Sequence, residues 1–203
     1  FRKIMDAVEF ADKKGLSLEE AARELRYDIF RKHANSGKVA IAHNMEDNAE
    51  TMIFNMARGS GIEGVVGIKK VREGYIRPLL ECSRLDIEKY LSDRGQEYRT
   101  DSTNSDIEYT RNRIRHNIMP ELTQINDKAL EHISEMTARL SEIADYLSLE
   151  ANGLLQMAKL NDNKLRKRTI ATAPRVVASQ ALKEYLSRFM PQQKDVASYH
   201  IEI

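Results

Sequence analysis

The chain has 203 residues, 41% hydrophobic and 31% charged, with a formal net charge of +1. That is enough for one large or two small domains with real cores, and no apolar run is long enough to cross a membrane. The single cysteine, Cys82, excludes an intrachain disulfide and a Cys-rich zinc site. No signal peptide is visible and the first residue is Phe1, so the chain is expected to begin inside a longer protein. A reducing, cytoplasmic setting fits this cysteine usage.

Ser17 and Glu20 have capping-box spacing, and Leu18, Ala21, Ala22, Leu25 and Ile29 form one stripe, predicting a helix over residues 17–36 that ends at Gly37. A short apolar strand follows over 38–42, then a helix from about Glu46 to Ala57 that stops at Gly59 and Gly61. This helix–strand–helix alternation predicts a parallel α/β sheet. Residues 62–80, with Gly64, Gly67, Gly74 and Pro78, read as irregular. Ser83 and Asp86 open a helix over 83–94, closed by Gly95. Residues 96–117 are polar and read as a long loop, a length that is usually functional or disordered.

From Pro120 onward Leu122, Ile125, Ala129, Ile133, Met136, Leu140, Ile143 and Leu147 step by three or four. They predict a long amphipathic helix with a narrow apolar seam, reaching about Ala158. Residues 159–175 carry six cations against Asp162 alone, a net +5. That run suits a nucleic-acid backbone or a solvated linker. A last helix is predicted over about 175–189, with another starting near the end of the chain.

The stretch "VAIAHNMEDNAETMIFNMARGSG" (39–61) concentrates the chemistry. His43 sits just past the strand's carboxyl end, the edge where open α/β sheets bind ligands. Asp47 and Glu50 are three apart, on one face of the next helix and in its first turns. Such a pair can hold a hard cation such as Mg2+. Equally, first-turn acids are common and His43 can simply cap the strand. Arg58-Gly-Ser-Gly reads as a helix end and turn that can meet a phosphate, although Arg-Gly is frequent at helix ends. Arg111, Arg113 and Arg115 in "RNRIRH", spaced alternately in an extended loop, would share one side and suit phosphate or RNA; a solvated basic turn is the alternative. Tyr98 and Tyr109 can stack on bases or be ordinary loop tyrosines, and Asp101–Asn104 is most simply turn chemistry. Cys82, without a partner nearby in sequence, reads as inert.

Six segments, in order, resemble the tRNA(Ile)-lysidine synthetase family of PP-loop ATP pyrophosphatases. They are "LSLEEAARELRY" (16–27), "IAHNMEDNAET" (41–51), "RGSGIEGVVGI" (58–68), "IRPLL" (76–80), "YRTDSTN" (98–104) and "YTRNRIRHNIMPEL" (109–122). The resemblance implies an incomplete Rossmann-like parallel sheet, a long linker helix and a mostly helical second domain. The expected boundaries are 1–118 for the PP-loop part, 119–158 for the linker helix and 159–203 for the start of a tRNA-binding helical domain. It also implies a two-step ligation. ATP adenylates C2 of the wobble cytidine in tRNA(Ile) with a CAU anticodon, releasing pyrophosphate; the ε-amine of free L-lysine then attacks C2 and expels AMP. By resemblance His43, Asp47, Glu50, Arg113 and Arg115 are expected to be catalytic, without distinction between the two arginines. Arg58 is expected to contact ATP, and Asp47 to meet Mg2+. The expectations include no membrane partner and leave room for a homodimer.

Asn44 and Glu46 depart from the family's usual Gly-His-His-x-Asp-Asp, which puts any role at those two positions in doubt. The family's phosphate loop, Ser-Gly-Gly-x-Asp-Ser, is not found in these residues. It is expected upstream with the first strands of the sheet, so that this chain alone would be inactive. Rival readings are another PP-loop enzyme such as a tRNA thiolase, against which the lone cysteine argues, and a non-catalytic RNA-binding module.

Overall fold

The computed structural model describes residues 6–34, 37–72, 74–98, 110–161 and 163–189. Two compact units divide the chain. The first comprises residues 1–43 and 69–80, the second 44–68 and 81–203.

In the first unit, α1 (Ala7–Lys14) is capped by Asp6 and closed by Gly15 at φ 64°. Helix α2 (Leu18–Ala34) starts as expected, with the Ser17 hydroxyl accepting from the Glu20 N–H and the Glu20 carboxylate accepting from the Ser17 N–H. Residues 69–80, within a segment expected to be irregular, are so only in part. They carry β2 (Val71–Arg72) and β3 (Tyr75–Ile76), an antiparallel pair with Gly74 at φ 85° between them. The other strand, β1 (Val39–Ala40), runs parallel to β3 in the sheet order β1-β3-β2. The sequence hides this hairpin because strands of two residues show no period. Tyr27, Phe30 and Tyr75 form an edge-on aromatic cluster that ties α2 to β3.

In the second unit, α3 (Met45–Ala57) opens with a capping box in which the Asn44 side chain accepts from the Asp47 N–H. Asp47 in turn accepts from the Asn44 N–H. A one-turn helix α4 (Ile62–Val65) follows, within a segment expected to be irregular. Helix α5 (Arg84–Asp93) has the expected Ser83–Asp86 capping box. The expectation of an extended "RNRIRH" is overturned. Residues Thr110–Arg113 form α6, and Ile114–Ile118 form a π-helical turn running into α7 (Met119–Ile125). Pro120 supplies a reason: it has no N–H for the carbonyl four residues back, and its ring crowds that carbonyl. The ladder widens instead, and the Met119 N–H reaches the Ile114 carbonyl. The rest of the predicted loop, residues 99–109, lies outside the described residues, as does the chain from 190 onward.

The long helix is present as α8 (Ala129–Ala158), about 45 Å at 1.5 Å per residue, but it is broken from α7 at extended Asn126. Its seam only partly follows the predicted one: Ala129, Ile133, Leu140 and Leu147 are half-buried as that stripe requires. Thr137, Ala144, Ala151 and Ala158 are buried, whereas Ile125, Met136 and Ile143 are exposed. Small residues every seventh position let neighbouring helices approach closely, while a count of apolar residues favours the adjacent stripe of larger ones. The basic segment forms a hairpin, β4 (Lys159–Asn161) with β5 (Lys164–Leu165), and α9 (Lys167–Ala171). Helix α10 (Arg175–Ser187) packs on the end of α8 around Leu154, Leu155, Ile170, Ala178 and Ala181. Among the described residues no helix is long and apolar enough to cross a membrane.

Candidate active site

Within the second unit, α3 and the π-helical turn bring three charged side chains together. Glu50, 3% exposed, lies on the inner face of α3 beside Asp47. The π turn aims Arg115 at both, with buried Ile114 anchoring the turn. The guanidinium grips Glu50 bidentately, Nε to Oε1 at 2.6 Å and Nη2 to Oε2 at 3.0 Å. Its Nη2 also donates to Asp47 Oδ1 at 3.3 Å. Two carboxylates therefore share one cation, and such forked contacts fix orientation as well as charge.

Burial pushes the Glu50 carboxyl above its ordinary value of 4.5, against the lowering effect of Arg115. Burial also opposes the Arg115 charge, but its hydrogen bond and charge contact with Glu50, and the charge of Asp47, outweigh it and hold the guanidinium raised. A carboxyl raised in this way is better matched to moving a proton near neutral pH than an exposed one. Asp47, at 28% side-chain exposure, keeps acceptor capacity beyond its bonds to Arg115 and the Asn44 N–H. Among the described residues no group of three or more His, Cys, Asp or Glu converges as a metal site.

The other expected site residues stand elsewhere. Arg113 is on α6, while Arg115 makes the carboxylate contacts. Sequence alone does not show which of the two reaches the acids of α3; in the structure it is Arg115, from the π turn. Arg58 caps α3 and lies over the Phe54 ring at 5.2 Å. His43 belongs to the first unit, where its Nδ1 accepts from Arg77 Nε at 3.2 Å. Glu46, in doubt as a family departure, serves a local purpose, because both its carboxylate oxygens accept from the Arg84 N–H, at 2.9 and 3.0 Å. A carboxylate at that helix start also complements the dipole of α5.

Asn48, between the two acids, is a residue that sequence reasoning misses. Its carboxamide is buried; Oδ1 accepts from the Ile68 N–H at 2.7 Å and Nδ2 donates to Thr137 Oγ1 at 3.1 Å. It therefore holds α3 against both α8 and the end of the "RGSGIEGVVGI" segment. No local pattern announces contacts at such sequence separations. Replacing Thr137 with valine strands the Asn48 amide donor in the interior. The expected cost is about 2 kcal/mol, read as a lower urea midpoint at unchanged m-value.

Residues 2–122 match the family model of the PP-loop domain. The chain belongs to the PP-loop family. The curated relatives it resembles are tRNA(Ile)-lysidine synthases. That of Porphyromonas gingivalis is 44% identical over 147 residues, covering 70% of this chain and 32% of the relative. That of Parabacteroides distasonis is 38% identical over 192 residues, covering 91% of this chain and 44% of the relative. That of Clostridioides difficile is 37% identical over 156 residues, covering 74% and 34%. The chain spans about a third of the length of the first of these relatives.

Proposed function

We propose that this chain is part of an ATP-dependent ligase that joins free L-lysine to C2 of the wobble cytidine of tRNA(Ile) bearing CAU. The observation that carries this reading is the similarity to a tRNA(Ile)-lysidine synthase over 192 residues, a span that takes in Asp47, Glu50 and Arg115. On this reading the cytidine O2 attacks the α-phosphorus of ATP and pyrophosphate leaves. The lysine ε-amine then adds at C2, and the C2–O bond to AMP breaks. The amine must shed a proton, and Glu50, its carboxyl raised by burial, is suited to accept it. The acid pair, only partly neutralised by Arg115, favours an ammonium approaching Asp47. Arg115 is placed to favour an oxyanion that develops beside the pair.

Asp47 fits Mg2+ as one ligand, the remainder coming from nucleotide phosphates and water, as that ion usually prefers. When bound there, the ion would neutralise phosphate charge. Arg58 is assigned a phosphate contact, and Arg113 a contact with the tRNA backbone. The finer architecture belongs to the same reading: residues 1–118 as part of a Rossmann-like PP-loop domain, 119–158 as linker, and 159–203 as the start of a helical tRNA-binding domain. The basic hairpin and α9 supply its charge. A cytoplasmic enzyme, with room for a homodimer, completes the proposal.

The test uses the gene's full-length product with ATP, radiolabelled lysine and unmodified tRNA(Ile) bearing CAU. Label should accumulate on the tRNA and fall at least a hundredfold in Asp47→Ala. Wild-type protein that binds the tRNA yet transfers no lysine would overturn the function. Label undiminished in the variant would overturn the placement of the site.

A further inference from the structure

Within the second unit, α10 reaches back to α4, the single turn inside the glycine-rich segment "RGSGIEGVVGI". Gln180, buried on α10, donates from Nε2 to Glu63 Oε1 at 2.7 Å and to Glu184 Oε1 at 3.0 Å. A carboxamide has two N–H donors, and here carboxylates take both. Lys183, three residues on and so on the same face, pairs with the other oxygen of Glu63. Glu63 is therefore held at both oxygens from sequence separations of 117 and 120. The same segment is held from its other side by α3. The Gly64 carbonyl accepts from Asn55 Nδ2 at 2.7 Å, and the Ile68 N–H donates to Asn48, which stands between Asp47 and Glu50. The turn between these holds is closed tightly, since a Cβ on Gly64 would stand 2.5 Å from Ser60 Cβ.

Helix α8 provides a separate connection, through Thr137 and Asn48. The basic hairpin, α9 and α10 gather at its far end, around Leu154, Ile170 and Ala181. From Thr137 to Ala158 the helix runs about 30 Å at 1.5 Å per residue. Long helices bend, and a bend of about 10° over that length would move the far end by about 5 Å. A second hold off the helix axis removes that freedom. Glu63 is such a hold, and it ends on the segment that is itself tied to the helix of the acid pair.

We propose that Gln180 and Lys183 are positioning residues that latch α10 to α4 through Glu63, fixing where a tRNA held on the basic hairpin stands relative to Asp47 and Glu50. The tRNA half of this inference rests on the function proposed above; the latch does not. The two residues contribute differently. Lys183 and Glu63 are 34% and 40% exposed at the side chain, and an ion pair so exposed contributes little alone. Gln180 is the buried member, a neutral donor shared by two carboxylates that would otherwise repel. Gln180→Glu keeps the size, removes both donors and sets a third carboxylate against the other two.

The experiment has two parts. Full-length protein with its native cysteines replaced by serine carries spin labels through Met56→Cys on α3 and Met157→Cys on α8, both exposed positions. Pulsed dipolar spectroscopy should give one narrow distance distribution. Gln180→Glu combined with Lys183→Met should widen it at least twofold, and the surface change Lys183→Met alone should widen it less. An unchanged width in the double variant overturns the latch. The second part follows lysine transfer in unlabelled protein. The double variant should lose at least tenfold in kcat while its Kd for tRNA(Ile) stays within threefold, because the basic hairpin is untouched. Lys183→Arg, which keeps the charge, should behave as wild type. An undiminished kcat, or a tRNA affinity that falls in step with it, overturns the positioning role. A wild-type protein that transfers no lysine overturns the function proposed above and not the latch, which the distances decide without ATP, lysine or tRNA.

Discussion

Arg115→Met is expected to destabilise the protein by about 3–5 kcal/mol, the usual cost of leaving one member of a buried ion pair behind. Methionine roughly replaces the volume of the side chain, so the loss is mainly electrostatic. Glu50, 4% exposed at the side chain, would keep its desolvation while losing both a forked hydrogen bond and the neighbouring charge. Urea denaturation measures the cost. The double variant Arg115→Met, Glu50→Gln should regain more than half of it, because the stranded charge is gone. A single variant as stable as the wild type would show that the pair contributes nothing.

The pH dependence of that loss has a definite sign. Burial already raises the Glu50 carboxyl above 4.5, and removing Arg115 deletes the two strongest influences that lower it. A carboxyl raised in the folded state adds stability below its unfolded value, and this is lost as pH rises through the folded value. The difference between Arg115→Met and wild type should therefore shrink as pH falls towards 4.5 and widen towards neutrality. A difference that grows on acidification would mean that Glu50 is not the stranded group.

The same cluster shows what sequence conveys and what it does not. Asp47 and Glu50 are three apart on a helix with an apolar stripe and a glycine stop, so their shared face is legible. Arg115 lies 65 residues from Glu50. Its type and the basic run around it are visible, but its aim depends on a π turn that changes the residue count per turn. An alternating pattern taken as extended backbone gives Arg111, Arg113 and Arg115 one common side, and the helical backbone overturns that. The β2–β3 hairpin is silent because two-residue strands carry no periodicity. On α8 the period is right and the phase holds in part: Ile133, Leu140 and Leu147 are half-buried, whereas Met136 and Ile143 give way to their neighbours Thr137 and Ala144. A seam of Thr and Ala is almost invisible to a hydrophobic count, yet Thr137, Ala144, Ala151 and Ala158 are among the residues this helix buries. The capping boxes at Ser17, Asn44 and Ser83 are short-range, side chain to nearby backbone, and those at Ser17 and Ser83 are legible directly from spacing.

Gly67→Ala should be among the most destabilising single-methyl additions in the second unit, at about 3 kcal/mol. Two separate effects contribute. Gly67 has φ +71°, a conformation that strains any L side chain. A Cβ built there would also stand 2.3 Å from Asn48 Oδ1, the acceptor that holds the Ile68 N–H. Asn48 cannot simply swing away, because its Nδ2 is engaged by Thr137. The methyl must break one buried hydrogen bond or displace the chain at 67–68, and overpacking of this kind usually costs about 1–3 kcal/mol. A double-mutant cycle separates the two effects. With Asn48→Ala already in place, the obstructing oxygen is gone, and Gly67→Ala should add only its backbone strain, about 1 kcal/mol. Equal costs in both backgrounds would show that the close approach to Asn48 contributes nothing. A coupling of about 2 kcal/mol would identify the Asn48 carboxamide as the fixed point between α3, α8 and the glycine-rich segment.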